Sequence, residues 1–189
     1  MYRLDRPNMA VNDMRVSGGS SYRRFQMWNT WDIDATETRE HIVGWVASVA
    51  RGADGGKLKH LVLSCHGSPG QLQLGQGFDN SHVALFARWR GLIEKIWLPN
   101  CRVARIPDAS MPGAADGNVF CSNLAKTVQC YVVASTEFQC EYPTDIPRDM
   151  MTSFEGLILS YGPGGNVTWS SRNPSFWTNS SGVCVPVPD

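Results

Sequence analysis

Apolar residues along the chain occur partly in short unbroken runs and partly at helical spacing, and this pattern predicts strands separated by helices. The run 58–65 (LKHLVLSC) is apolar without alternation and is flanked by glycines, which is typical of a strand buried on both faces of a parallel sheet. Shorter apolar runs over 95–101 and 130–136 predict two more strands. The sequence therefore predicts 58–65 as the central strand of a mostly parallel sheet.

A first helix is expected before this central strand. Apolar residues repeat at helical spacing over 42–50, and Asp34 with Glu37 matches a capping box. A glycine follows the last apolar position, as is common at the end of a helix. We expect one amphipathic helix that starts near Asp34 and ends near Gly52.

Two further helices are expected after the central strand. Apolar residues over 83–93 have helical spacing and follow Asn80 or Ser81 as the cap, and 118–128 forms a second amphipathic segment. Strand and helix thus alternate along the chain, which favours an α/β fold with right-handed crossovers. We expect a three-layer α/β/α sandwich with helices on both faces of the sheet.

The two ends of the chain carry weaker patterns. Residues 1–30 are interpreted as a polar lead-in with one edge strand near 22–28. In 150–189, apolar runs on either side of GPGG (162–165) predict a hairpin followed by an irregular tail. A phosphate-binding loop would need a helix directly after the glycines, so the hairpin is the better interpretation.

Composition limits the classes of protein to consider. A chain of 189 residues with 42% hydrophobic and 18% charged residues can bury one core, so we expect a single domain over 1–189 built around 58–136. A net charge of zero argues against a nucleic-acid partner. No apolar run long enough for a membrane span and no signal-peptide pattern occurs. We expect a cytoplasmic protein, or one exported by a route that needs no signal peptide.

The cysteines and histidines show no metal or disulfide pattern. The six cysteines contain no CxxC pair and the chain is not a small secreted scaffold, so reduced thiols are expected. His41, His60 and His82 lack the spacing of metal ligands. We therefore expect neither a metal nor another cofactor.

Two reactive side chains follow two successive predicted strands. His66 comes directly after the central strand and Cys101 ends the next strand. Carboxyl ends of neighbouring parallel strands meet at one edge of a sheet, where ligands and reactive groups gather. A cysteine nucleophile paired with a histidine is a known catalytic arrangement. Gly67 lacks a side chain, so its backbone N–H can approach a substrate carbonyl as an oxyanion donor.

These segments resemble the caspase and gingipain clan of cysteine peptidases. The resemblance rests on HLVLSCHGSPG (60–70), NCRVA (100–104), GNVFCSNLA (117–125) and YVVAST (131–136), and it is closer to bacterial members of the clan. It implies a caspase-like fold and a cysteine endopeptidase that acts on a protein or peptide. It also implies that Cys101 attacks the scissile carbonyl, that His66 protonates the leaving amine, and that the N–H groups of Gly67 and Cys101 hold the oxyanion.

The same resemblance suggests where substrate binds. In TWSSRNPSFW (168–177), an arginine follows a tryptophan and serines, which loosely resembles a caspase segment that selects an acidic residue. An extra serine alters the spacing. Arg172 is therefore a candidate for substrate binding, and Trp169 and Tyr161 on the predicted hairpin are candidates to line the cleft. We expect the region 150–189 to shape that pocket.

Other functions remain open on the sequence alone. Cys101 is also compatible with simple packing at a strand end, in which case the chain is a catalytically inactive scaffold or binding module with the same fold. A redox or flavodoxin-like domain would need a CxxC pair or a phosphate-binding first loop. Ser68 lacks the GxSxG frame of a serine hydrolase. Substrate specificity and oligomeric state are not encoded in any motif that we find.

Overall fold

The structure is a computed structural model that describes residues 1–16, 25–140, 146–178 and 184–186. Its strands are β1 (Tyr2–Arg3), β2 (Asn8–Asp13), β3 (Asn29–Ile33), β4 (Leu58–Ser64), β5 (His66–Ser68), β6 (Gln71–Gln73), β7 (Ile93–Leu98), β8 (Tyr131–Ser135), β9 (Met150–Met151), β10 (Leu157–Tyr161), β11 (Val167–Arg172), β12 (Phe176–Thr178) and β13 (Cys184–Pro186). Its helices are α1 (Arg39–Gly52), α2 (Gly117–Val128), a 3₁₀ helix (Asn80–Trp89) and a 3₁₀ turn (Asp54–Gly56). None of these described helices has both the length and the apolar character that crossing a membrane requires.

Seven strands form one sheet in the order β11-β10-β8-β7-β4-β2-β3. The five strands from β3 to β8 run parallel, and β10 and β11 extend the sheet antiparallel. The strands predicted from the apolar runs are present as β4, β7 and β8, and the hairpin predicted around GPGG is present as β10 and β11. The prediction of a mixed α/β fold with a mostly parallel sheet is confirmed.

The predicted polar lead-in contains a strand of the central sheet. β2 is buried along its whole length and lies between β3 and β4. The sequence pattern did not predict this strand, because the hydrogen-bond partners of its buried polar side chains are distant in sequence. The buried Asn12 amide, for example, accepts from the Phe25 N–H and donates to the Phe25 carbonyl, both at 3.1 Å. The strand predicted near 22–28 is not found, since 17–24 lie outside the described residues and 25–28 form a loop before β3.

Helix α1 ends where the sequence predicts but starts later. It covers Arg39–Gly52, and its N-cap is Thr38, whose hydroxyl accepts from the His41 N–H at 3.2 Å. Asp34 instead accepts from the Thr36 N–H at 2.7 Å, in a turn before the helix. The predicted capping box at Asp34 is therefore wrong, because two polar residues that can cap a helix lie four positions apart and only tertiary packing selects between them.

The second predicted helix is a 3₁₀ helix. Its cap is Asp79 rather than Asn80 or Ser81. Val83, Phe86 and Trp89 are buried and lie three residues apart, which places them on one face when a turn contains three residues. The sequence predicted an α-helix because spacings of three occur in both helix types.

All the helices pack on one face of the sheet. The buried residues of α1, α2 and the 3₁₀ helix belong to one core cluster with Leu61 of β4. Val62, the next residue of the strand, faces a second cluster that includes Phe25 and Phe154 from irregular segments. The predicted three-layer sandwich is therefore wrong for the described residues, in which helices cover one face and loops the other.

The direction of the chain across the sheet explains this one-sided arrangement. From β3 the chain moves through β4 and β7 to β8 in a single direction. Right-handed crossovers that progress in one direction place their helices on the same face. The connection from β2 to β3 runs in the opposite direction, and its residues Phe25 and Met27 pack on the opposite face.

One cysteine differs from the expected reduced state. Cys140 is disulfide-bonded, whereas Cys65, Cys101, Cys121 and Cys130 are free. The prediction that all six thiols are reduced is therefore wrong. Disulfides are typical of proteins in oxidising compartments. The cytoplasmic location expected from the sequence therefore did not predict this bond.

Candidate functional site

His66 and Cys101 leave the sheet at adjacent strand ends. His66 opens the short β5–β6 hairpin two residues after the end of β4, and Cys101 follows the end of β7 by three residues. β4 and β7 are paired parallel neighbours. Both residues are therefore at the carboxyl edge of the sheet, as the sequence predicts.

Gly67 packs directly against the segment that carries Cys101. A Cβ atom added at Gly67 would lie 2.8 Å from the Cys101 carbonyl oxygen, 2.9 Å from Asn100 Cβ and 2.7 Å from Val103 Cγ2. Only glycine fits at such a close approach of two backbones. This contact brings the residue next to His66 against the backbone of Cys101, so the segments that carry His66 and Cys101 are adjacent.

The His66 ring is oriented by a backbone carbonyl. His66 Nε2 lies 3.2 Å from the carbonyl oxygen of Arg15. Because a carbonyl only accepts, Nε2 carries the proton of the neutral ring and Nδ1 is left as the acceptor. The Arg15 guanidinium in turn binds both carboxylate oxygens of the buried Asp13, at 2.8 and 2.6 Å. A histidine held in this way by a third group has the support that a general base requires.

The Cys101 thiol lies against the segment after β8. Its Sγ accepts from the Gln139 N–H at 3.4 Å and donates to the Gln139 carbonyl at 3.6 Å. Within the described residues, Sγ forms no hydrogen bond with His66, and the Cys101 amide N–H has no acceptor. The sulfur is thus held by the Gln139 backbone and not by His66.

Asn100 connects the two halves of the site. This buried residue donates from Nδ2 to the Cys65 carbonyl at 2.6 Å and to Cys65 Sγ at 2.9 Å. Cys65 immediately precedes His66, so Asn100 ties the Cys101 segment to the start of the histidine segment. Asn100 Oδ1 is buried and has no hydrogen-bond partner among the described residues.

Cys101 is the accessible cysteine among the four that are free in the described part of the chain. It is half-buried, whereas Cys65, Cys121 and Cys130 are buried. Burial raises the pKa of the Cys130 thiol to about 12 and raises the pKa values of Cys65 and Cys121 well above the usual range. Since the thiolate is the reactive form, these three buried cysteines are poor nucleophiles.

Tyr161 does not line a substrate cleft. Its side chain is fully buried in the core on the helix-covered face, and its hydroxyl lies 3.0 Å from Asn118 Oδ1 of α2. Burial also raises the pKa of Tyr161 above its usual range. The prediction of a substrate-binding role for Tyr161 is therefore wrong, because the alternating strand pattern does not say which face meets the helices.

Trp169 and Arg172 lie on the predicted hairpin but do not form one pocket. Arg172 is exposed at the end of β11 opposite Leu157, at the same edge of the sheet as Cys101. Trp169 lies three residues before Arg172 in β11, opposite Ser160 and farther from this edge. It is 53% exposed on the face without helices. Three strand spacings separate β11 from β7, or about 14 Å. Arg172 thus shares an edge of the sheet with His66 and Cys101, whereas Trp169 belongs to a different surface.

Comparisons of the chain with protein-family models, curated proteins and solved structures found no match. Among the described residues, no group of three or more histidine, cysteine or acidic side chains is arranged to hold a metal ion. His41 and His82 instead lie 2.7 Å from Glu37 and 2.8 Å from Asp79. The geometry of the site itself is therefore the basis for a functional assignment.

Three residues of the site were not recognised from the sequence. Arg15 supplies the carbonyl that orients His66, Asn100 links the two strand ends, and Gln139 holds the sulfur. Arg15 could have been found by recognising β2 as a strand, since it follows the carboxyl end of β2 beside β4. The contact of Gln139 comes from a loop and has no sequence signal that we can identify.

Proposed function

We propose that this protein is a cysteine endopeptidase in which Cys101 and His66 form the catalytic dyad. The observation that carries the proposal is the close packing of Gly67 on the Cys101 backbone, with His66 oriented beside it by the Arg15 carbonyl. The accessible position of Cys101 among buried cysteines is consistent with this role. The position of both residues after neighbouring parallel strands supports the proposal.

The proposed reaction uses each group in a defined way. Nδ1 of His66 takes the thiol proton, and Cys101 Sγ attacks the scissile carbonyl carbon to form a C–S bond. The negative charge on the carbonyl oxygen is held by backbone N–H groups, for which the unpartnered N–H of Cys101 and that of Gly67 are the candidates. The C–N bond then breaks as His66 returns the proton to the amine. Water, activated by His66, hydrolyses the thioester.

Selective labelling tests the assembled dyad. Limiting iodoacetamide, and separately a panel of peptidyl acyloxymethyl ketones, should add one label to the protein as measured by intact-protein mass spectrometry. The label should be absent in Cys101→Ala and should form at least about tenfold more slowly in His66→Ala, because histidine supplies the thiolate. Cys130→Ala is the matched control and should label like the wild type, since Cys130 is buried.

Peptide cleavage tests the reaction itself. A peptide library analysed by mass spectrometry should be cleaved by the wild type, and Cys101→Ala should lose at least about 1,000-fold of that activity, as happens when a nucleophile is removed. Circular dichroism should show that the variant is folded. Full cleavage by folded Cys101→Ala would exclude the proposed mechanism.

A catalytically inactive scaffold is the second candidate, and one observation favours it. Cys101 Sγ is hydrogen-bonded to the Gln139 backbone rather than to His66. If the thiol is held in this way in solution, labelling will be slow and spread over several cysteines, and no peptide will be cleaved. Capture of a binding partner would then replace substrate profiling.

A further inference from the structure

The sheet face without helices carries an aromatic groove away from the proposed dyad. The groove has a volume of about 410 Å³, which is within the range of sites for small organic molecules. Its floor is formed by apolar residues of β7, β8 and β10, including Val133 and Ile158, and its walls include Trp169 and Phe154. None of Cys101, His66 and Gly67 lines it.

A single lysine lies among the rings of the groove. Lys95 Nζ is 5.0 Å from the centre of the Trp97 ring and 5.9 Å from the centre of the Tyr131 ring. No carboxylate of the described residues forms an ion pair with Lys95, whereas nearby Lys57 is paired with Glu94 at 2.8 Å. Lys95 is half-buried, and its ammonium lies near two aromatic rings without an ion-pair partner among the described residues.

The neighbouring histidine, His60, leaves Lys95 as the cation at this end of the groove. Trp97 Nε1 donates to His60 Nδ1 at 3.2 Å. Burial, with the charge of Lys95 as the second cause, lowers the pKa of His60 to about 4. The ring is thus neutral near pH 7, and Lys95 is the charged group that a ligand in the groove would meet.

We propose that this groove binds a small organic anion with a flat aromatic body, with its acidic group at Lys95 and its ring against the aromatic side chains that line the groove. Aromatic walls favour a flat apolar ligand through offset stacking, and the ammonium without an acidic partner supplies the complementary charge. The site is independent of the proposed peptidase activity.

Calorimetric titration with 2-naphthoate tests the proposal. We expect one saturable site per chain, and binding weakened at least about tenfold for Lys95→Met, which removes the charge and keeps most of the apolar stem. Trp169→Ala should weaken binding at least about fivefold. Lys59→Met is the matched control and should bind like the wild type, because Lys59 is an exposed lysine outside the groove.

Two other ligands separate the charge from the ring. Neutral 2-naphthalenemethanol and linear octanoate should each bind at least about tenfold more weakly than 2-naphthoate. The proposal is overturned if either binds as tightly, if Lys95→Met binds normally, or if 2-naphthoate shows no saturable binding. Self-association that 2-naphthoate reverses would also overturn it, since a second copy would then occupy the groove.

Folding of the variants is checked by circular dichroism and urea unfolding. If Lys95→Met does not fold, Lys95→Gln provides the same removal of charge with a polar side chain. Normal binding of 2-naphthoate by folded Lys95→Gln counts against the proposal in the same way. Iodoacetamide labelling of Cys101 should be unchanged in all groove variants.

Discussion

At the scale of single residues, Gly67 is the position where the site depends most directly on a missing side chain. The Cys101 carbonyl, Asn100 and Val103 all lie within 3 Å of where its Cβ would be. The first two of these contacts are to the segment that presents the candidate nucleophile. Any side chain at Gly67 must therefore push apart the two strand ends that hold the proposed dyad.

Replacing Gly67 by alanine should consequently lower stability and disturb the site. We expect Gly67→Ala to reduce the free energy of unfolding by about 1–3 kcal/mol, the usual cost of overpacking, as measured by urea unfolding. Labelling of Cys101 by iodoacetamide should change in the same variant. Gly52→Ala is the control, because nothing lies within 4 Å of its Cβ position. Equal stability of Gly67→Ala and the wild type would contradict the packing described here.

At the scale of the elements, helix α1 shows how a local signal can have two solutions. Thr38 and Asp34 are both residues that cap helices, and both are followed by hydrogen-bonded backbone N–H groups. Only Thr38 lies directly before Arg39, the first residue of the helix. The helix start is thus decided by how residues 42–50 pack on the sheet and not by the capping motif alone.

Substitution distinguishes the two caps. Thr38→Ala should lower the free energy of unfolding by about 1 kcal/mol, because it leaves an N–H at the start of α1 without its acceptor. Asp34→Ala should have a smaller effect, since Asp34 stabilises only an exposed turn before the helix. Thermal unfolding followed by circular dichroism compares them. A larger effect at Asp34 would show that the helix starts earlier than the structure indicates.

At the scale of the whole molecule, the asymmetry of the sheet is the main feature. Helices cover one face. The other face is packed against loops and carries the aromatic groove. His60 of β4 lies at the amino-terminal side of this second face, beside Trp97. A titratable group held there in its neutral form makes the stability of the fold depend on pH.

The stability contributed by neutral His60 should be lost in acid. Its pKa is lowered to about 4 in the folded chain, mainly by burial and further by Lys95 and Lys59, while Asp5 and Glu94 oppose the shift. The unfolded chain, with a histidine pKa of about 6.5, binds the proton first as pH falls. The contribution is therefore complete above about pH 6.5 and declines down to about pH 4. Because solvent screens this half-buried group, we expect a loss of about 1–2 kcal/mol.

Urea unfolding between pH 4 and pH 7.5 measures this effect. The difference in free energy of unfolding between the wild type and His60→Asn should change by that amount across the range, because the variant keeps an acceptor for Trp97 but does not titrate. Contributions of other groups cancel in the difference. A difference that is constant with pH would show that His60 is not held neutral in the folded chain.

Much of the parallel core was predictable from the sequence because it depends on local patterns. The apolar runs of β4, β7 and β8, the amphipathic residues of α2 and the hairpin around GPGG are all present. The placement of His66 and Cys101 at strand ends also followed from these runs. Periodicity and turn residues act over a few positions, so they can be recognised without knowing what surrounds them.

Other features were decided only by tertiary structure, because their partners are far apart in the chain. The polar strand β2 is stabilised by the buried Asn12–Phe25 hydrogen bonds, and the face that receives the helices follows from the order of the strands. Tyr161 is buried because of that choice of face. The support of the candidate site by Arg15 and Gln139 likewise joins residues 51 and 38 positions from their partners. Local sequence determined most of the elements and the position of His66 and Cys101 at strand ends, whereas long-range packing determined the strand β2, which surfaces are open and how the candidate site is held.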